Sequence, residues 1–185
     1  GVYVIANGTT SDELGHFTAS NTYQQGSVDI SAYAGQPVQV AFRHYGVTDM
    51  FRLNLDLVEV SGGGSTPNTP VPPTENPVTP APGGNTGWGF ETDPFAEGWT
   101  IRDDDGDGYN WEWMDASGSN YNVYEGTHCM ASASFQNSAF GGGTALNPDN
   151  WLISPAFTAG STVTFWYAGQ DPNYSAEPFG VYVIA

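Results

Sequence analysis

The chain has 185 residues, which is enough for one β-sandwich of ordinary size and a linker. Its 20 acidic residues against three Arg give a net charge of -17, which argues strongly against nucleic acid or anionic lipid as a partner, because phosphate binds to cationic side chains. Aromatic residues make up 14% of the chain, enough for a packed core, and the sequence predicts no membrane insertion because it lacks an apolar run of about 18 residues.

The six residues GVYVIA occur at positions 1–6 and again, letter for letter, at 180–185. Identity over six positions indicates either a tandem repeat whose period is the distance between the two copies or a chain cut deliberately at this point of the repeat. We therefore expect the chain to be cut out of register with its repeat, so that it begins and ends within the same strand.

Three segments alternate apolar and polar residues, as half-buried strands do: 38–43, 51–57 and 162–167. The alternation slips after Leu57, which predicts a β-bulge there. The segment around Cys129 is also predicted to be a buried strand. Because turn residues interrupt the chain frequently and no amphipathic helix is evident, the predicted fold is all-β, an antiparallel sandwich or jelly roll.

Residues 61–87 are predicted to form a linker. The stretch contains seven Pro, six Gly and five Thr and no aromatic residue, a composition typical of extended chain. We expect residues 1–60 to be the C-terminal half of one repeat and residues 88–185 to be the N-terminal half of the next.

Several motifs occur in an order that joins the second half to the first. They are GFE at 89–91, GWT at 98–100, DDDGDG at 103–108, NPDNWLISP at 147–155, and then VDISAYAGQ at 28–36 and VAFRHY at 40–45. In this order the chain resembles the cleaved-adhesin domains of gingipain proteases and related haemagglutinins, and the choice-of-anchor J domains of bacterial surface proteins. The resemblance implies a jelly-roll β-sandwich with bound Ca²⁺, similar to MAM domains and to several carbohydrate-binding modules.

The sharpest local signal is the run from Asp103 to Gly108. Asp103, Asp105 and Asp107 occupy positions 1, 3 and 5 of a calcium-type loop, with Gly at position 6 for the tight turn. Position 12 is Met114 rather than Glu, so the loop is not a complete EF-hand. The alternative is an exposed acidic turn held by local hydrogen bonds.

The resemblance implies a second calcium site. In jelly-roll modules of this kind a Glu of the first strand and an Asp of the last strand approach one Ca²⁺, which here corresponds to Glu91 and Asp56, with Asp93 as a weaker companion. The family usually has two acidic residues where this chain has Asp56-Leu57. Asp56 lies on the polar face of its strand, and the alternative is that these are ordinary surface carboxylates.

Aromatic residues near the acidic loop could stack on a sugar ring. The candidates for such ligand binding are Trp111, Trp113, Tyr121 and Tyr124. The alternative, which we favour, is that they are core and rim aromatics of the sandwich.

The sequence contains no recognisable catalytic motif. It has three His and neither a Gly-x-Ser-x-Gly elbow nor a His-Glu-x-x-His motif. His44 is in phase with the apolar residues of its strand and is predicted to be a satisfied structural histidine. A glycosidase-type pair of carboxylates would leave no such motif, but the repeat and linker favour a module over an enzyme.

The predicted function is therefore a non-catalytic, calcium-binding adhesin repeat of a secreted bacterial surface or fibre-forming protein. Its expected partners are a host or matrix protein, a glycan, or neighbouring repeats. The alternative is a carbohydrate-binding module of a secreted enzyme. The two halves either close within one chain, with segments 51–60 and 86–91 side by side, or exchange between chains. Exchange is the expectation, because two copies of GVYVIA would compete for one strand position.

Overall fold

The computed structural model describes residues 2–5, 9–62, 86–118 and 121–185. This part of the chain is built almost entirely from strands, with one short 3-10 turn at Ser31–Tyr33 and no α-helix. The strands are β1 (Val2–Ile5), β2 (Thr9–Thr18), β3 (Gln24–Asp29), β4 (Pro37–Tyr45), β5 (Arg52–Ser61), β6 (Thr86–Trp88), β7 (Thr100–Asp103), β8 (Glu112–Asp115), β9 (His128–Ala133), β10 (Phe135–Asn137), β11 (Gly143–Ala145), β12 (Asp149–Ile153), β13 (Phe157–Thr158), β14 (Thr162–Gly169) and β15 (Pro178–Ile184).

The strands form two antiparallel sheets and a small hairpin. The first sheet has the order β1-β2-β15-β4-β12-β7, with β13 also paired to β4. The second has the order β3-β14-β5-β9-β8, with β6 also paired to β5, and β10 and β11 form the hairpin. The predicted antiparallel β-sandwich is confirmed.

Both halves of the chain contribute strands to both sheets. In the first sheet β4 lies between β15 and β12, and in the second sheet β5 lies between β14 and β9. The ring of Phe42 from the first half packs 5.1 Å from that of Phe165 in the second. The expectation of exchange between chains is contradicted by these contacts, because one chain closes its own core.

The closed arrangement has the strand neighbours predicted for it. Residues Val58–Val60 of β5 pair with Thr86–Trp88 of β6. Most of the predicted linker, residues 63–85, lies outside the described residues, but its two ends lie within strands, since β5 extends to Ser61 and β6 begins at Thr86.

The two copies of GVYVIA do not compete for one position, because β2 pairs along both of its edges. The first copy, β1, pairs with β2 at the end of the sheet. The second copy, in β15, lies between β2 and β4 and is buried, with Val181 and Tyr182 fully covered. Identical sequences therefore lie in an edge strand and a central strand of one sheet.

Aromatic residues fill the space between the two sheets. Phe17, Phe165, Tyr167 and Phe179 form a continuous set of ring contacts, with centroids 5.0–6.0 Å apart. Such edge-to-face and stacked pairs add to the free energy gained by burying apolar area. No helix within the described ranges has the length and apolar character that a membrane crossing requires.

Two local predictions about strands are confirmed. The register of β5 against β14 shifts between Thr164 and Trp166, where Leu57 adopts a positive φ of 41°. This irregularity is the bulge that the slipped alternation indicates. Cys129 is fully buried in β9.

Candidate metal and ligand-binding sites

The loop that follows β7 is closed by its own carboxylates. Asp103 accepts hydrogen bonds from the backbone N–H groups of Gly106 (2.7 Å) and Gly108 (3.0 Å). Both glycines have positive φ, 70° and 82°, which side chains with a Cβ rarely adopt. Asp105 accepts a hydrogen bond from the N–H of Asp149 at 3.0 Å, which ties the loop to the start of β12.

The carboxylates of Asp103, Asp105 and Asp107 converge at this loop. Each offers an oxygen within 4.8 Å of the others. Because Ca²⁺ binds oxygen at about 2.3–2.6 Å, two ligands of one ion lie no more than about 5 Å apart, so the spacing fits Ca²⁺. Contact with Asp105 lowers the pKa of Asp103, while burial and the contact with Asp103 raise the pKa of Asp105. The three side chains therefore place their carboxylate oxygens where one divalent cation could contact all of them.

Glu91 and Asp56 both accept hydrogen bonds from a second loop, at residues 124–128. Asp56 accepts hydrogen bonds from the N–H groups of Tyr124 (2.9 Å) and Glu125 (3.2 Å). Glu91 accepts them from the N–H groups of Thr127 and His128, at 2.9–3.1 Å. The two carboxylates that the sequence paired thus lie at the two ends of one short loop segment.

Asp56 is buried rather than directed toward solvent. Its exposed fraction is 0%, because the loop that begins at Tyr121 crosses the outer face of β5. Burial raises the pKa of Asp56 to about 6, and the negative charge of Glu91 adds to this effect. Each of the three Arg is paired with another carboxylate: Arg43 with Asp149, Arg52 with Glu112 and Arg102 with Asp104.

The electrostatics of Glu91 differ from those of Asp56. Partial burial acts to raise the pKa of Glu91, but the amide donors of His128 and Thr127 outweigh it, and the pKa lies below its usual value. A Cβ at Gly126 would collide with the Glu91 carboxylate, so this close approach requires glycine. Two carboxylates held by one loop could bind a divalent cation through their remaining lone pairs.

The hydrogen bonds of Asp93 come from a different segment, residues 95–97. Its side chain accepts a hydrogen bond from the N–H of Phe95 at 2.9 Å, and its carbonyl accepts one from Glu97. These contacts make it the first residue of an exposed turn. The structure therefore brings Glu91 and Asp56 to one loop but leaves their weaker companion in a structural role.

The four aromatic candidates have different environments. Trp111 is 2% exposed and donates to the carbonyl of Asn150, so it lies in the core, as the favoured alternative predicts, and offers no face to a sugar. Trp113 is partly buried, stacked on His128 with ring centroids 4.7 Å apart. Tyr121 is also largely buried, and burial raises its pKa to about 12.

Tyr124 is the most exposed of the four, at 40%. Its ring stacks on Trp166 with a centroid distance of 3.8 Å and an interplanar angle of 10°. Trp166 was not among the candidates, although its alternation opposite Phe165 and Tyr167 could have placed it on the outer face of β14. One open aromatic pair therefore lies next to the buried Asp56.

A buried polar network joins the two sheets. His44 shares hydrogen bonds with Ser132 (2.9 Å) and Glu177 (3.0 Å), and all three side chains are fully buried. Glu177 also accepts from the hydroxyl of Ser134 and the N–H of Phe51, each at 2.8 Å. The Ser–His–Glu order resembles a hydrolase triad, but a substrate would not reach it. The prediction that His44 is a satisfied structural histidine is confirmed.

The chain is similar to known adhesins. The model of the Cleaved Adhesin Domain matches residues 5–60 and 86–185. Relatives from Porphyromonas gingivalis include Hemagglutinin A, 30% identical over 86% of this chain and 11% of that protein. Lys-gingipain is 33% identical over 91% of this chain and 8% of that protein, and Protease PrtH is 36% identical over 44% and 8%. The chain thus spans about a tenth of the length of these relatives.

Proposed function

Because the chain belongs to the Cleaved Adhesin Domain family, we propose that it is a non-catalytic adhesive module of a secreted or cell-surface protein. The observation that carries the proposal is that the family model matches both halves of the chain, and these two halves together form one sandwich. The names of the relatives fit, since one is a haemagglutinin and two are proteases that are much longer than this chain.

Calcium binding is part of the proposal. Its support is the convergence of Asp103, Asp105 and Asp107 and the pair formed by Glu91 and Asp56. Hard carboxylate oxygens are the ligands that Ca²⁺ prefers, and unpaired carboxylates held together repel one another. Bound Ca²⁺ would fix the loops at 103–108 and 124–128 and thereby set the shape of the surface offered to a partner.

The expected partners are host or matrix proteins, glycans, or neighbouring repeats. The test is agglutination of erythrocytes by beads that carry many copies of the intact chain, in Ca²⁺ and in a chelator. Agglutination in Ca²⁺ that albumin-coated beads do not produce would support adhesion. If beads carrying demonstrably folded chain agglutinate no better than albumin beads, haemagglutinating activity is refuted.

A second candidate function is carbohydrate binding within a larger secreted enzyme. The stacked pair of Tyr124 and Trp166 favours it, since an exposed aromatic face is a common platform for a sugar ring. A glycan array probed with the intact chain separates the candidates. Selective binding to one class of glycan would favour the carbohydrate-binding module, while adhesion to deglycosylated protein would favour the adhesin.

A further inference from the structure

A pocket of about 300 Å³ opens at one end of the sandwich. Its lining comes from the β4–β5 loop, strand β10 and the β14–β15 loop, and includes Asp49, Phe51, Phe135, Asn137, Asp171 and Tyr174. Backbone hydrogen bonds connect these segments, from the N–H of Asp49 to Ser134 (3.2 Å) and from the N–H of Gln170 to Arg52 (2.9 Å). The pocket is therefore pre-formed, and its volume is at the lower end of the range for ligand pockets, which suits one side chain.

The lining combines aromatic rings with carboxylates. Phe51, Phe135 and Tyr174 supply rings, and Asp49 and Asp171 supply the negative charges. Aromatic faces attract cations through their quadrupole, and carboxylates form charge-assisted hydrogen bonds with guanidinium and ammonium groups. This combination favours a cationic group with an apolar stem over a neutral or anionic ligand.

Neither acidic residue is neutralised within the described part of the chain. Asp49 and Asp171 form no ion pair there. Arg52 is the cation near this end, with its guanidinium 6.0 Å from the Phe51 ring, but it is bound to Glu112 at 2.7 Å. The net charge of -17 adds a long-range attraction for cationic partners.

Two strongly exposed aromatic residues belong to segments that form the pocket. Phe140, in the turn of the β10–β11 hairpin, is completely exposed, and Tyr174 is 54% exposed. Aromatic residues are enriched at protein–protein interfaces. Tyr174 itself lines the pocket, and Phe140 belongs to the hairpin whose strand β10 lines it.

We infer that this pocket binds the Arg or Lys side chain of a protein partner, with the cationic group between Asp49 and Asp171 and the stem against the aromatic rings. The inference deepens the proposed adhesive function and rests on it, because it names the chemistry of the partner. Phe140 would contact residues that flank the basic side chain.

The test uses small probes that do not depend on a natural partner. N-acetyl-arginine amide is titrated into the intact chain by NMR, alongside N-acetyl-citrulline amide, which has the same shape without the charge. The arginine probe should shift the resonances of Phe51, Phe135 and Tyr174 and bind at least about tenfold more tightly than the citrulline probe. Equal binding of the two probes, or no shift at this pocket, would overturn the inference.

Two conservative variants remove the charges. In Asp49→Asn the backbone, at φ 57°, remains one that Asn tolerates. In Asp171→Asn an oxygen remains to accept the N–H groups of Asn173 and Tyr174. Each variant should weaken the arginine probe by about threefold or more, while Glu59→Gln, at the other end of β5, should leave it unchanged. If the folded double variant binds like the parent, the assignment is wrong.

Failure of the inference can be told apart from failure of adhesion. If the arginine probe does not bind but chain-coated beads adhere, this pocket is not the contact and the adhesive function stands. If the probe binds at the pocket but coated beads do not adhere, the pocket assignment stands and the adhesive function fails.

Discussion

The two copies of GVYVIA allow one substitution to be compared in two places with the same local sequence. Val181 of β15 is fully buried in the main core, between β2 and β4. Val2 has the same neighbours in sequence but lies in β1, which pairs with β2 alone at the end of the sheet. Val181→Ala and Val2→Ala therefore differ in strand position and not in chemistry.

The expected cost follows from burial. Removing two buried methyl groups loses about 0.8 kcal/mol each, and the cavity left behind raises the total to about 2–3 kcal/mol for Val181→Ala. Val2→Ala, in a strand that pairs along one edge with β2 alone, should cost less than Val181→Ala. Urea unfolding, followed by fluorescence and circular dichroism, gives both differences in the free energy of unfolding. Equal costs, or a larger cost for Val2→Ala, would refute the assignment of the second copy to the central position.

Three further predictions concern metal, the core and glycan. Chelation of Ca²⁺ should lower the unfolding temperature measured by calorimetry. Asp105→Asn should reduce the difference between the unfolding temperatures with Ca²⁺ and with chelator, while Asp93→Asn should leave that difference unchanged. An unfolding temperature that chelator does not alter would contradict calcium binding. Glu177→Ala should lower the free energy of unfolding by about 3 kcal/mol or more, because His44, Ser134 and the partly buried N–H of Phe51 lose their shared hydrogen-bond partner. A loss under about 1 kcal/mol in urea unfolding would contradict this role. If the chain binds a glycan, Tyr124→Ala should weaken binding on the array at least tenfold, and undiminished binding would exclude this platform.

Local alternation was sufficient to predict the strands that build both sheets. In β4, Val38, Val40 and Phe42 are buried, as their spacing predicts, and the slip after Leu57 is a bulge. Alternation succeeds because it reports which face of a strand is covered by the opposite sheet. It also placed His44 correctly, although its partner Glu177 lies far along the chain and leaves no local signal.

One expectation failed where a loop, and not a sheet, covers a strand. Asp56 was expected on a polar face, but the loop from Tyr121 to His128 covers it from 68 or more residues away. The exchange of halves was expected because one strand position was assumed for the two copies, whereas β2 has two edges.

The claim at the centre of this account is that the closed, calcium-binding sandwich is adhesive. The most direct measurement counts beads coated with the intact chain that remain on immobilised extracellular matrix proteins under flow, in Ca²⁺, with albumin-coated beads as the reference. Chain-coated beads should be retained well above this reference and should be released when Ca²⁺ is chelated. Retention of folded chain no greater than that of albumin, on every matrix protein and on erythrocytes, would contradict it.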